Sequence, residues 1–189
     1  GYYSYIAASH GSLYLLNKVG ELHLLRRNAT NTDLLQRDVR QVILAAGSIF
    51  LLDYHGDVTK LLSRNRASAA LCRGVATMVE ADESLYLLDA DHNLRRLIPG
   101  RSVSEVLQAN VASCAVAHES VYTLDFSGDL HYLTPDNQRS DVLQEDVGQL
   151  TVAYGQLFTL DWKGNLRRMQ PSRDFSHVLQ PDVLQLAVT

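Results

Sequence analysis

The stretch Ile43-Leu44-Ala45-Ala46-Gly47-Ser48-Ile49-Phe50-Leu51-Leu52-Asp53-Tyr54-His55-Gly56-Asp57-Val58 decides the fold. It begins as an apolar run that closes on small residues. A short turn follows at Ala46-Gly47, then a second apolar run, then Asp-x-x-Gly, then a third apolar start. Leu51 and Leu52 are adjacent, so the second run is apolar on both faces, as in a strand covered on both sides. Asp53 can cap the following turn through its own side chain, and Gly56 can take a left-handed conformation.

Read outward, the same phrase returns every thirty-six residues without an insertion. Leu13, Ile49, Leu85, Val121 and Leu157 each precede an aromatic: Tyr14, Phe50, Tyr86, Tyr122 and Phe158. Leu16, Leu52, Leu88, Leu124 and Leu160 come next, followed by Asn17, Asp53, Asp89, Asp125 and Asp161. A fixed period of this length marks a repeat architecture.

In residues 147–182 the repeat reads as four strands. These are Val147–Ala153, Gln156–Leu160, Leu166–Met169 and His177–Gln180, with turns at Tyr154-Gly155 and Asp161–Asn165. Helices are disfavoured, because Pro99, Pro135 and Pro171 share one repeat position and glycines recur at 20, 56, 128 and 164. No helix longer than about two turns is expected. Four short strands per unit point to an all-β fold, a β-propeller with five four-stranded repeats. The repeats run over residues 3–38, 39–74, 75–110, 111–146 and 147–182 of a single domain, 1–189. Residues 183–189 align with strand 1 and form a surplus copy of it. Either one terminal copy is redundant, or the domain belongs to a larger protein, or it is completed by another segment or by oligomerisation.

The small-residue strand ending in Ala-Gly, the apolar–aromatic–x–apolar strand and the Asp-x-x-Gly turn resemble tectonin-type β-propeller repeats, the family that includes fish-egg lectins. The likeness implies a propeller fold and sugar or lipopolysaccharide binding. The tryptophan typical of that family near strand 4 is replaced here by Leu35, Leu71, Leu107, Leu143 and Leu179. The implied sugar binding therefore attaches to no residue of this chain.

Composition bounds the function. With 46% hydrophobic and 20% charged residues, the chain can bury a substantial core. A net charge of −4 argues against nucleic acid as a partner. No apolar run reaches membrane-spanning length. The chain starts at Gly1 without a recognisable leader, so a trimmed N-terminus is expected. Cys114 replaces Val42, Met78, Leu150 and Leu186, and is expected to be a buried, unpaired thiol. Two unpaired cysteines favour an intracellular, cytoplasmic location.

The loops between strands 3 and 4 collect Arg66, Arg101, Arg139 and Arg173, with His10 and His118 in the turns between strands 1 and 2. The opposite turns collect aspartates. One reading is a basic face for an acidic partner, and the other is ordinary turn chemistry. Gln36, Gln108, Gln144 and Gln180 are expected to satisfy backbone groups where repeats meet. The Asp-x-x-Gly turns lack the oxygen-rich run of a calcium loop. No metal-ligand spacing, nucleophile motif or phosphate loop occurs, so neither metal, cofactor nor catalysis is expected. The resulting expectation is a non-enzymatic protein–protein interaction scaffold, with a carbohydrate-binding lectin as the alternative. A lectin should carry matching groups in every repeat. Positions 10, 46, 82, 118 and 154 hold His, Ala, Asp, His and Tyr, which favours the scaffold.

Overall fold

The computed structural model describes residues 3–9, 11–62, 66–98, 100, 103–134, 139, 141–170, 175 and 177–186. Among them every regular element is a strand. The chain divides into two compact units, Gly1–Ala90 with Arg96–Ser104, and Asp91–Arg95 with Glu105–Thr189.

Five antiparallel sheets follow the five repeats. The first has β1 (Tyr3–Ser9), β2 (Ser12–Asn17), β3 (Leu22–Arg26) and β4 (Asp33–Gln36). The second has β5 (Val39–Ala45), β6 (Ser48–Asp53), β7 (Val58–Leu62) and β8 (Arg66–Ala67). The third has β9 (Val75–Ala81), β10 (Ser84–Asp89), β11 (Leu94–Leu97) and β12 (Val103–Gln108). The fourth has β13 (Val111–Ala117), β14 (Ser120–Asp125) and β15 (Leu130–Tyr132), and the fifth has β16 (Val147–Ala153), β17 (Gln156–Asp161) and β18 (Leu166–Arg168). Within each sheet the strands lie in chain order.

The core lies between sheets rather than within them. In β6, Ile49 and Leu51 pack with Tyr14, Leu16 and Leu24 of the first sheet. Phe50 and Leu52 pack with Met78, Leu85 and Leu87 of the third. The doubly apolar strand is thus explained, because side chains alternate and both faces meet a neighbour. The fourth and fifth sheets repeat this with Tyr122, Leu124, Val147 and Leu157.

The turns are local chemistry. Strands 1 and 2 are joined by residue pairs with positive φ at both positions, such as Ala46 (44°) with Gly47 (67°) and His118 (48°) with Glu119 (60°), the type I′ pattern. Gly20, Gly56, Gly128 and Gly164 take φ between 81° and 89°, and His92 holds the equivalent place at 64°. A β-bulge recurs between strands 1 and 2, between Val39 and Gln41, Val111 and Ser113, and Val147 and Gln149. It aims the next residue outward: Gln41 Nε2 donates to the Met78 carbonyl (2.7 Å) while its Oε1 accepts Met78 N–H (3.0 Å).

Three expectations need correction. Strand 4 is not a full strand in the last two repeats. Around Leu143 and Leu179 it shrinks to the bridges Leu130↔Gln144, Leu133↔Arg139, Leu166↔Gln180 and Met169↔Phe175. An outermost strand hydrogen-bonds on one side only, and so is the first to break up. The surplus strand 1 is also incomplete. Residues 183–186 form no strand, and 187–189 lie outside the described residues. The glutamines serve side chains rather than backbone, since Thr123 Oγ1 donates to Gln108 Oε1 (2.9 Å) and Thr159 Oγ1 donates to Gln144 Oε1 (2.8 Å). Where Cys72 replaces the glutamine, the residue fifteen positions on is the apolar Leu87.

Both cysteines are free. Cys114 is half-buried where Val42 and Met78 are fully buried. Burial nonetheless pushes its thiol up to about 12. In the native protein Cys114 should react with a disulfide reagent at neutral pH roughly a hundredfold more slowly than glutathione. Labelling as fast as glutathione would show that the thiol is open to solvent.

Candidate functional site

Each Asp-x-x-Gly turn is built around one carboxylate. Asp53 Oδ1 accepts His55 N–H and Asp57 N–H, both at 2.9 Å. Asp161 Oδ1 accepts Lys163 N–H (3.0 Å) and Asn165 N–H (2.8 Å). Asn17 does the same for Val19 and Glu21 in the first repeat. Burial works to raise the Asp161 carboxyl, but the Asn165 and Lys163 hydrogen bonds and the Arg167 charge outweigh it and hold the group below its ordinary range.

The fourth repeat adds a second layer. Asp125, Asp129 and His131 bring ligand-type atoms within 4.8 Å of one another, the one such group among the described residues. Asp125 Oδ1 caps Ser127 N–H (2.9 Å) and Asp129 N–H (3.0 Å). Its Oδ2 accepts Arg139 Nη2 (2.9 Å), and the same guanidinium contacts His131 Nε2. Burial tends to raise the Asp125 carboxyl, yet the two backbone donors and Arg139 hold it low. Arg139 brings a positive charge to the position a metal ion would take, so this cluster reads as a structural ion pair. In the fifth repeat Phe175 stands in the place of Arg139. There it lines an open groove of about 540 Å³ with Asp161, Lys163 and Arg167.

The predicted binding residues fare unequally. Arg66 lies exposed on β8, and His118 is exposed in the turn after β13. Arg139 is turned back along its sheet onto Asp125 with 37% of its side chain exposed, so it is only partly available to a partner. His10, Arg101 and Arg173 lie outside the described residues.

One feature was missed in the sequence. The residue after the repeated Asp is Tyr54, Phe126 and Trp162 in three repeats, each 56–64% exposed. Each packs on the left-handed residue of the preceding turn. A β-carbon on Gly20 would lie 2.9 Å from Tyr54 Cε2, and one on Gly128 would lie 2.9 Å from Trp162 Cζ2. Phe126 meets the His92 ring edge-on at 4.7 Å between centroids. The backbone closes the same seat: Tyr54 N–H donates to the Asp38 carbonyl (3.1 Å) and Trp162 N–H to the Asp146 carbonyl (3.0 Å). The signal was legible as a column of aromatics at 54, 126 and 162, broken by Lys18 and Ala90.

No family model matches the chain, and no characterised protein matches it in sequence. Solved structures do match. The extracellular domain of a hybrid two-component system from B. thetaiotaomicron superposes with TM-score 0.63 at 15% identity, over 94% of this chain and 28% of that one. YCF48 bound to D1 peptide gives TM-score 0.63 at 9% identity, covering 94% of this chain and 66% of its own. BamB from Moraxella catarrhalis gives 0.59 at 12%, covering 94% and 60%. The chain therefore spans less than two thirds of the length of these neighbours. The fold is an all-β propeller of the type these structures share. The tectonin-type assignment goes beyond what the structural likeness supports.

Proposed function

We propose that the chain is a non-enzymatic scaffold that presents variable loops to protein partners. One observation carries this reading. The turns between strands 1 and 2 share a backbone but no side chain: Ala46, Asp82, His118 and Tyr154 all have φ between 44° and 52°. The repeats agree on what they bury and differ in what they show to solvent. A neighbour of the same fold, YCF48, is described as bound to a peptide, which supports the reading as precedent only. The two unpaired thiols fit a cytoplasmic location.

Arginine is favoured at interfaces because its planar head forms paired hydrogen bonds. The loops carrying Arg66 and Arg173 are the better candidate for an acidic partner, since Arg139 is engaged with Asp125. In the double variant Arg66→Glu, Arg173→Glu, affinity for a partner captured by pull-down should fall about tenfold or more, with a flatter salt dependence. Loss of that partner instead on changing Asp57 and Asp129 to Lys, with the arginine variant unaffected, would place the interface on the aspartate turns.

Carbohydrate binding is the second reading, and the exposed Tyr54, Phe126 and Trp162 favour it, since aromatic faces stack on sugars. A glycan array probed with the wild type and with Trp162→Ala separates the two. Signal that depends on Trp162 supports the lectin, and its absence leaves the scaffold.

A further inference from the structure

The seat that Trp162 occupies on the fourth repeat has a counterpart on the fifth. There a groove of about 480 Å³ is lined by Gly164, Asp182, Val183, Leu184 and Gln149, with Trp162 at its edge. Its parts match those beneath Tyr54 and Trp162, thirty-six residues on. Asp182 has φ 59°, against 61° at Asp38 and at Asp146, whose carbonyls accept the aromatic residue's N–H. Val183 N–H donates to the Gly164 carbonyl (3.0 Å), as Val39 does to Gly20 (2.9 Å) and Val147 to Gly128 (2.9 Å). Leu186 N–H donates to Gln149 Oε1 (3.0 Å), as Met78 does to Gln41. Residues 183–186 are thus docked as the first strand of a further sheet, but they pair with no strand among the described residues. Leu184 is 97% exposed, and Val183 is only half-buried where Val39 and Val147 are 1% exposed.

We propose that this groove is a receptor for an extended strand-and-turn segment of a partner chain. Its chemistry would be small–apolar–aromatic–apolar–Leu–Asp–aromatic. The segment would pair antiparallel with residues 183–186 and set its last aromatic on Gly164. The occupant is argued from the protein itself, which places such a segment against the same backbone arrangement in each preceding repeat. Main-chain pairing supplies affinity and the alternate side-chain seats supply specificity, the usual terms of strand addition.

The seat also discriminates among aromatics. Trp162 fits because residue 148 is Gly: a β-carbon there would lie 2.5 Å from Trp162 Cδ1. The equivalent of Gly148 in the new seat is Leu184, whereas Tyr54 sits in a repeat where that position is Arg40. A long side chain there goes with Tyr, so the groove should prefer Tyr or Phe to Trp.

The chain has a single tryptophan, and it borders the groove. A synthetic peptide of residues 48–59, which ends in Asp53–Thr59 and contains no Trp, is titrated into the intact protein while Trp162 emission is followed. A saturable blue shift is expected. It should weaken at least tenfold when the peptide carries Tyr54→Ser, and at least tenfold in Leu184→Glu protein whose melting is unchanged. A peptide with Trp in place of Tyr54 should bind more weakly than the parent. No emission change, or an equal response to a scrambled peptide, overturns the proposal. So does a dimer in sedimentation velocity that the peptide fails to dissociate, since a second copy would then hold the groove.

Discussion

Gly56→Val should destabilise the protein by about 3–5 kcal/mol, the sum of two separate penalties. Gly56 sits at φ 86°, where a β-branched side chain is strained by about 1–3 kcal/mol. A β-carbon at this site would also lie 3.1 Å from both the N and the O of Val75, the first residue of β9. Those are backbone atoms, and Val75 N–H is bonded to the Gly56 carbonyl at 3.0 Å, so neither side can yield without loosening the junction between two sheets. His92 holds the equivalent place at φ 64°, which shows that an unbranched side chain is tolerated in this turn. His92→Gly should therefore be neutral or mildly stabilising, within about 1 kcal/mol. Urea melts of the two variants decide the matter. If Gly56→Val unfolds at the wild-type midpoint, the turn is not under the constraint described.

Removing the Asp125 carboxylate should cost about 2–4 kcal/mol, and two substitutions separate its two roles. Asp125→Ala strands the Ser127 and Asp129 N–H groups and leaves Arg139 beside His131 without its acid. Asp125→Asn keeps an oxygen for the cap, as Asn17 does for Val19 and Glu21, and loses only the charge. It should recover at least half of the loss. The partly exposed guanidinium limits what the ion pair itself contributes. Acid sensitivity follows with a definite sign. The Asp125 and Asp161 carboxyls are held below their ordinary range in the folded state. Their contribution is complete above the unfolded value of about 4 and is lost as pH falls through the lower folded value. Stability should therefore drop below about pH 4, and Asp125→Ala should flatten that limb. Equal stability of the Ala and Asn variants would show that the cap contributes nothing. An unchanged acid limb in Asp125→Ala would remove Asp125 from the account.

The residues predicted to bind a partner were legible as a pattern and less so as a site. Arg66 and His118 are exposed as the loop positions implied. Arg139 is drawn onto Asp125, fourteen residues away in the chain, and nothing in the spacing of arginines announces that pairing. The aromatic column at 54, 126 and 162 was in view, but its meaning depends on the glycine or histidine beneath it in the preceding repeat.

The sequence by itself determined the strands, their turns and the left-handed positions, His92 included, because each rests on contacts within about five residues: a carboxylate capping its own turn, a glycine free of a β-carbon, side chains alternating along a strand. The tertiary structure alone decided which side chains meet across repeats. Gln108 chose the Thr123 hydroxyl over backbone, Gln41 clasped Met78, and Trp162 settled on Gly128. It also decided that residues 183–186 dock like a first strand yet form none. The reason is physical. A strand's alternation is written in its own residues, but a strand exists only when a second one supplies the other half of its hydrogen bonds.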